Sequence, residues 1–291
     1  MSASKSNNNH QSVKGSQRRR TSWPLIILAA LFIIAPFLTW YGTWFGRHLS
    51  DSEVDEYLAD EKKPRHIQHA LSQIEERMVR NDASAKRWYP QIIALAGNPV
   101  TEFRKTSAYL MGFDNKAEEF HNALVRLLKD EQPGVRRQAA LSLVTFGDSR
   151  GRPELRAMLE PFTIVASTDG VMGSVVSEGS AVREATLMAR INRDGRESEE
   201  VRSPLPGKVK SVAAFEGARV VVGDTLFVIA PDSQFVWEAL RALYWVGERE
   251  DLPLVERYAG GGAEGLHDQI KQQAALTAKA IQSRMEAAGS R

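Results

Sequence analysis

One pattern, repeated at a fixed spacing, constrains this chain more than any other feature. The segment NPVTEFRKTSAYLMGFDN at 98–115 and the segment QPGVRRQAALSLVTFGDS at 132–149 share apolar positions and an arginine at a spacing of 32. Phe103-Arg104 aligns with Val135-Arg136, Ala108 with Ala140, Met111 with Leu143 and, further on, Leu127 with Leu159. A period in this range marks stacked supersecondary units. Each unit reads as two helices. The first is opened by a proline and carries apolar residues at i, i+4 and i+8; the second is shorter and carries a leucine pair, Leu124/Leu127 or Leu155/Leu159. One such hairpin cannot bury its own apolar face, so neighbours must stack.

A third copy lies at 233–259, offset by 100 from the second: Phe235 for Val135, Ala239 for Ala139, Leu243 for Leu143, Gly247 for Gly147, Pro253 for Pro153 and Val255 for Leu155. An offset of 100 in place of 32 leaves 68 residues unaccounted for, so a unit of about that size is inserted between the second and third helical pairs. Upstream, Ile67, Leu71, Ile74 and Met78, then Trp88, Ile92, Ile93 and Leu95, recur at helical spacing. Downstream, a final helix over 268–285 with Ile270, Ala274, Ala278 and Ile281 on one face is placed to close the stack. The helical units resemble HEAT repeats, in which a proline and an arginine flank the first helix and small residues let helices approach.

The inserted residues, 162–231, are of a different class: short runs rich in Val, Gly, Thr and Ser, separated by Glu-Gly, Asp-Gly and Pro-Gly turn signals, which read as β structure. Two related halves lie within it, 169–191 and 206–231. In each a turn glycine leads a valine strand to Glu-Gly (Glu178-Gly179, Glu216-Gly217), and a second strand ends in Thr-Leu (Thr186-Leu187, Thr225-Leu226). The second half resembles the biotinyl/lipoyl carrier pattern at Pro204, Pro206, Gly207, Val209, Val212, Glu216-Gly217, Val220, Gly223-Asp224, Leu226 and Ile229. The first half is shorter by a residue or two, with Ala185 close to the place of the second turn glycine.

That resemblance implies a flattened β-sandwich, the barrel-sandwich hybrid, of two four-stranded sheets. A carrier of this family needs a lysine on the hairpin after the last matched strand. Here the stretch reads Ala230-Pro231-Asp232-Ser233, Ser233 stands in the lysine's place, and no covalent cofactor is expected. Without the lysine, the paired halves are also similar to the membrane-fusion or periplasmic adaptor family of the haemolysin D type. Those proteins insert a long helical hairpin between the halves, whereas this chain has only residues 192–205 at the join.

From Trp23 to Phe45 the sequence runs for 23 residues without a charge, with Trp23 at one end and Trp40, Tyr41 and Trp44 at the other. At about 1.5 Å per residue such a helix matches a hydrocarbon core of about 30 Å, so residues 23–45 are expected to form a single N-terminal transmembrane helix in contact with the lipid bilayer. Lys5, Lys14, Arg18, Arg19 and Arg20 precede the run and only Arg47 closely follows it. By the basic-residue asymmetry the tail 1–22, read as disordered, faces the cytoplasm, and the body lies in the periplasm of a bacterial inner-membrane protein.

Those five positive charges also account for the basic character of the chain: the net charge of +2 becomes −3 when they are set aside, which argues against nucleic-acid binding by the body. The organisation expected is therefore an α+β multidomain chain: tail 1–22, membrane helix 23–45, HEAT-like α-solenoid 46–161, lipoyl-like module 162–231, and the remainder of the solenoid with its capping helix at 232–291.

Enzymatic signals are missing. With no cysteine there is no disulfide, thiolate zinc site or cysteine nucleophile. His66 and His69 stand three apart without a carboxylate placed to complete a zinc set, and read as a solvated pair. No nucleophile elbow, phosphate loop or dinucleotide fingerprint occurs, and Gly260-Gly261-Gly262 reads as a connection between helices. The sequence thus points away from catalytic, cofactor or metal residues and toward protein contacts. The expected role is an adaptor or accessory subunit of an export assembly, with an inner-membrane transporter or other envelope protein as partner and with self-association into rings. The alternative is a HEAT-repeat scaffold unrelated to transport.

Overall fold

The computed structural model describes residues 23–44, 48–261 and 267–289. The tail 1–22, Phe45 and Gly262 lie outside the described residues. The chain divides into two compact units, Met1–Val54 and Asp55–Arg291.

In the first unit, α1 runs from Trp23 to Trp44 with Pro36 inside it, and α2 (Asp51–Ala59) begins there. The start of α2 is a capping box. The Ser50 hydroxyl accepts from the Glu53 amide at 3.3 Å, and the Glu53 carboxylate accepts from the Ser50 amide at 2.9 Å. The segment expected to cross a bilayer requires correction. Among the described residues no helix is long and apolar enough to cross a membrane. The transmembrane helix assigned to 23–45 is therefore withdrawn; α1 is an apolar helix with exposed Leu28, Phe32 and Ile33.

The second unit continues with α3 (Pro64–Val79), a 3-10 turn at Ala83–Trp88 and α4 (Tyr89–Leu95). Next come α5 (Thr101–Met111), α6 (Glu118–Leu127), α7 (Pro133–Leu143) and α8 (Arg152–Ala157). Helices α5 and α7 start and stop 32 residues apart, as the repeat dictates. Ile67, Leu71, Ile74 and Met78 are buried on α3, and Phe103, Ala108 and Met111 on α5 match buried Val135, Ala140 and Leu143 on α7.

The repeated arginine has a structural purpose. Arg104 Nε donates to Asp130 at 2.6 Å and its Nη1 to the Asn98 carbonyl. One repeat later, Arg136 Nε donates to Glu154 at 2.6 Å and its Nη1 to the Asp130 carbonyl. Each guanidinium thus ties the entry to its own helix pair to a carboxylate further along, and Asp130 links the two units.

After the inserted strands come α9 (Ser233–Val246), α10 (Leu252–Ala259) and α11 (Asp268–Gly289). Val236, Ala239, Leu240 and Leu243 of α9 share one core with Leu155, Leu159, Val255 and Tyr258. Ile270, Ala274, Ala278 and Ile281 of α11 join the same core. The Tyr258 hydroxyl donates to the Leu159 carbonyl at 2.7 Å, binding the third pair to the second across the insertion.

The insertion contains eight strands: β1 (Phe162–Val165), β2 (Gly170–Val175), β3 (Ala181–Val182), β4 (Leu187–Asn192), β5 (Glu199–Arg202), β6 (Gly207–Val212), β7 (Arg219–Val220) and β8 (Thr225–Pro231). They make two antiparallel sheets, ordered β1-β8-β6-β3 and β5-β4-β2-β7. Adding four to each strand number, cyclically, converts one sheet into the other, so the two halves are related by a pseudo-twofold. Ile164, Val209, Phe227 and Ile229 from one sheet meet Met172, Met188, Ile191 and Val220 from the other in a single core.

The twofold extends to individual atoms. The Gly217 amide donates to the Met172 carbonyl and the Gly179 amide to the Val209 carbonyl, both at 2.8 Å, and these two glycines have φ of +83° and +81°. Gly170 and Gly207 open the first strand of each half. A Cβ at either would overlap the carbonyl of Asn192 or Ala230 and the side chain of Ile191 or Ile229.

Candidate interaction surface

The first helices of the repeats, α5, α7 and α9, lie in sequence with corresponding residues at offsets of 32 and 100, so each helical position forms a row across the stack. The inserted module rests on the N-terminal rows. Lys105 Nζ on α5 donates to Glu184 of the β3–β4 turn at 2.9 Å, and the Arg137 guanidinium on α7 lies 6.0 Å from the centre of the Phe162 ring. Arg137 is only 4% exposed. Among the described residues its one hydrogen bond goes to the Ala157 carbonyl at 3.2 Å, and Nε has no partner. Burial lowers its pKa to about 10; Glu154, already paired with Arg136, offsets only part of that effect.

The C-terminal rows are open. Between α7 and α9 lies a groove of about 560 Å³ lined by Tyr109, Gln138, Leu141, Val144, Thr145, Glu238, Arg241, Ala242 and Trp245. Three of the α7-side residues have their α9 counterparts in the lining, 100 residues on: Gln138 and Glu238, Leu141 and Arg241, Thr145 and Trp245. Trp245 is 70% exposed, and Tyr109 and Phe113 are exposed beside the groove, with their rings edge-to-face at 5.1 Å. The Arg241 guanidinium sits 4.5 Å above the Trp237 ring, and Gln234 holds Glu238 at 2.9 Å.

The groove opens where a clasp is missing. Ser142 on α7 donates its hydroxyl to the Ala108 carbonyl on α5 at 2.7 Å, and Thr277 on α11 donates to the Leu240 carbonyl on α9 at 2.8 Å. The counterpart of Ser142 on α9 is Ala242, which has no hydroxyl to give, so no such bond ties α9 to α7. Trp245 is then left as an exposed apolar wall, with half-buried Leu141 in the same lining. Exposed aromatic groups with an arginine among them are the composition of interface centres.

Other sequence-predicted residues lie elsewhere. Ser233 is the first residue of α9, whose N-cap Asp232 accepts from the Gln234 amide at 2.8 Å, so it stands on a helix start and not on a hairpin. The hairpin at the end of the first half is the β4–β5 turn, which carries Arg193, Asp194, Gly195 and Arg196 and no lysine. His66 and His69 are half-buried against Tyr57, with centroids at 4.1 and 5.9 Å, and His66 Nδ1 lies 2.9 Å from Asp60. Among the described residues no group of three or more His, Asp or Glu is arranged to hold a metal ion.

The sequence repeat marks the buried positions of the stack and is silent on the groove. Its solvent-side rows, 109/141/241 and 113/145/245, carry Tyr, Leu, Arg, Phe, Thr and Trp, an apolar and aromatic content that a solvated face would not show.

Comparison with known proteins agrees with the helical reading. A family model described as HEAT repeats matches residues 89–167. No curated protein matches. Among solved structures, the product-bound ectoine utilization protein EutE (DoeB) from Ruegeria pomeroyi is 26% identical over 24% of this chain and 22% of that one, with a TM-score of 0.22. A single-chain, multi-domain long-chain acyl-CoA carboxylase is 14% identical over 50% of this chain and 16% of that one, with a TM-score of 0.24. The chain thus spans about a fifth of the length of these solved chains. The family match runs from α4 through α8 and over the first strand of the β-module, and over those helices it supports a helical-repeat scaffold.

Proposed function

We propose that this protein is a non-enzymatic interaction scaffold that holds a partner chain in the α7–α9 groove. The observation that carries this reading is Trp245, a tryptophan 70% exposed on a packed helix that lines, with Leu141, the groove between α7 and α9. A lone surface tryptophan has no packing role, whereas a tryptophan beside an arginine and a tyrosine is the usual centre of a contact. The finer reading, an adaptor or accessory subunit of an export assembly, draws on the twofold β-module, which adds a second surface to the first.

One experiment tests both levels: in-cell cross-linking and affinity purification of the tagged chain as wild type, as Trp245→Ala and without residues 162–231. A partner recovered by the wild type and reduced at least tenfold by Trp245→Ala supports the groove. Equal recovery from both overturns it. Recovery of a transporter subunit that also requires residues 162–231 supports the adaptor, and its recovery without them removes the basis for that assignment.

A further inference from the structure

The β-module has two ends. Phe162 and Ile229 are paired at the end joined to α8 and α9; at the opposite end, where Val165 pairs with Thr225, the β1–β2, β4–β5 and β7–β8 turns come together. They enclose a pocket of about 430 Å³ whose lining includes Ser167, Thr168 and three arginines, Arg193, Arg196 and Arg219. Arg193 and Arg196 are the two corners of one tight turn, closed by the Arg196 amide donating to the Arg193 carbonyl at 3.3 Å, with Gly195 at a φ of +67°. Arg219 comes from a different strand. It is in register with Val171, and Val171 with Asn192, while Val220, Met172 and Ile191 beside them are buried. Arg219 and Asn192 therefore stand on the outer face of the sheet, next to the arginine turn. The pseudo-twofold counterpart of Arg219 is Ala181, so the fold does not call for a charge at this position.

Three guanidiniums around one pocket repel one another, and the chain neutralises them only in part. Arg193 is served: its Nε and Nη2 donate to the Glu197 carbonyl at 3.0 and 2.9 Å, and Glu199 lies 3.7 Å away. Arg196 and Arg219 are exposed and make no side-chain hydrogen bond or ion pair among the described residues. Two carboxylates share the lining, but Asp169 accepts from the Val222 amide at 2.8 Å, and Asp194 pairs with none of the three arginines.

A guanidinium presents a planar fork of donors that matches a phosphoryl group. Two such forks, with the Ser167 and Thr168 hydroxyls in the same lining, suit a tetrahedral anion better than a planar carboxylate. A concavity of this size takes a compact ligand and not an extended chain. We propose that this pocket binds a phosphoryl group, held by Arg196 and Arg219 and drawn in by the charge of Arg193. The site lies apart from the α7–α9 groove and does not depend on it.

Calorimetric titration of the full-length chain, in uncharged detergent that covers α1, tests this with methyl phosphate, a monoester, and dimethyl phosphate, a diester like a lipid headgroup. Acetate at equal ionic strength is the control. The expected result is saturable binding of at least one ester, weakened at least fivefold by Arg196→Gln and by Arg219→Gln and tightened at least twofold by Asp194→Asn. Arg190→Gln, whose parent guanidinium is paired with Glu200 at 3.0 Å outside the pocket, should change nothing. The gain in Asp194→Asn separates recognition of an anion from a loss of local structure. A preference for the monoester identifies a soluble phosphate as the source of the group; equal or tighter binding of the diester identifies a lipid headgroup. No saturation by either ester below about 10 mM, binding matched by acetate, or binding left intact by both arginine substitutions overturns the proposal.

Discussion

Ala185 has a φ of +64° in the β3–β4 turn, where its pseudo-twofold counterpart in the β7–β8 turn, Gly223, has a φ of +93°. The two residues make the same bond: the Ala185 amide donates to the Ser203 carbonyl at 2.8 Å and the Gly223 amide to the Ala166 carbonyl at 2.9 Å. One half of the module thus holds an L-residue in the left-handed region that its twin fills with glycine. The neighbouring contact between Glu184 and Lys105 keeps that turn seated on the helices.

The first prediction follows from this pair. Ala185→Gly relieves the left-handed strain at the expense of a freer unfolded chain, and should stabilise the protein by about 0.5–1 kcal/mol in urea denaturation. Gly223→Ala should destabilise it by about 1 kcal/mol or more, since its φ lies further from the region an alanine tolerates. A loss of stability in Ala185→Gly would mean that the alanine methyl makes a contact worth more than the strain.

The second concerns Arg137. Its folded pKa is lowered by burial to about 10, below the ordinary arginine value that the unfolded chain retains. The charged form is therefore penalised in the folded state at neutral pH, and the penalty is relieved as pH rises through about 10. Arg137→Met keeps the length of the side chain and removes the charge. It should raise stability by about 1–3 kcal/mol at pH 7, with the gain narrowing above pH 10, as read by thermal melts across that range. A lower melting temperature for the variant would show that the Ala157 bond and the Phe162 ring outweigh the desolvation.

The third is acid dependence at Asp148. Burial raises the pKa of this carboxyl, but hydrogen bonds from the Arg150 side chain and amide and from His121 outweigh burial and bring it down to about 2. A depressed carboxylate contributes stability above its unfolded value near 4 and loses it as pH falls through about 2. Asp148→Asn should therefore cost about 1 kcal/mol at pH 7, with the exposed Arg150 limiting the figure, and almost nothing at pH 2. Urea midpoints at pH 7, 4 and 2 check this. A difference between variant and parent that does not shrink with acid would assign the effect to the cap on Arg150 alone.

Much of the stack was legible because its signals are periodic. Phe103 and Val135 are buried at a spacing of 32 by the same geometry that spaces α5 and α7. The positive-φ glycines of the module were legible as turn signals at Glu178-Gly179 and Glu216-Gly217. The groove escaped because it depends on an absence: Ala242 in place of a hydroxyl is unremarkable until Ser142 is seen to bond across to α5. Ser233 was misplaced because the end of a strand matched by sequence continues here into a helix cap, a choice made by Asp232. The uncharged run at 23–45, with its aromatic ends, was legible as an apolar helix, whereas among the described residues no helix is long and apolar enough to cross a membrane.

Strands β1 and β8 begin and end the insertion and are paired, Phe162 to Ile229. For the helices on either side, the order of folding matters. If α8 and α9 were to meet first, they would have to close a loop of about 70 disordered residues. Once the module has formed, its two ends are already neighbours and the remaining gap is a few residues, which lowers the closure entropy by about 2 kcal/mol. The module then acts on its host as a cross-link does, by shortening the chain that the last helical pairs have to search through. A mutation that loosens its small core would be felt first as slow assembly of α9, α10 and α11.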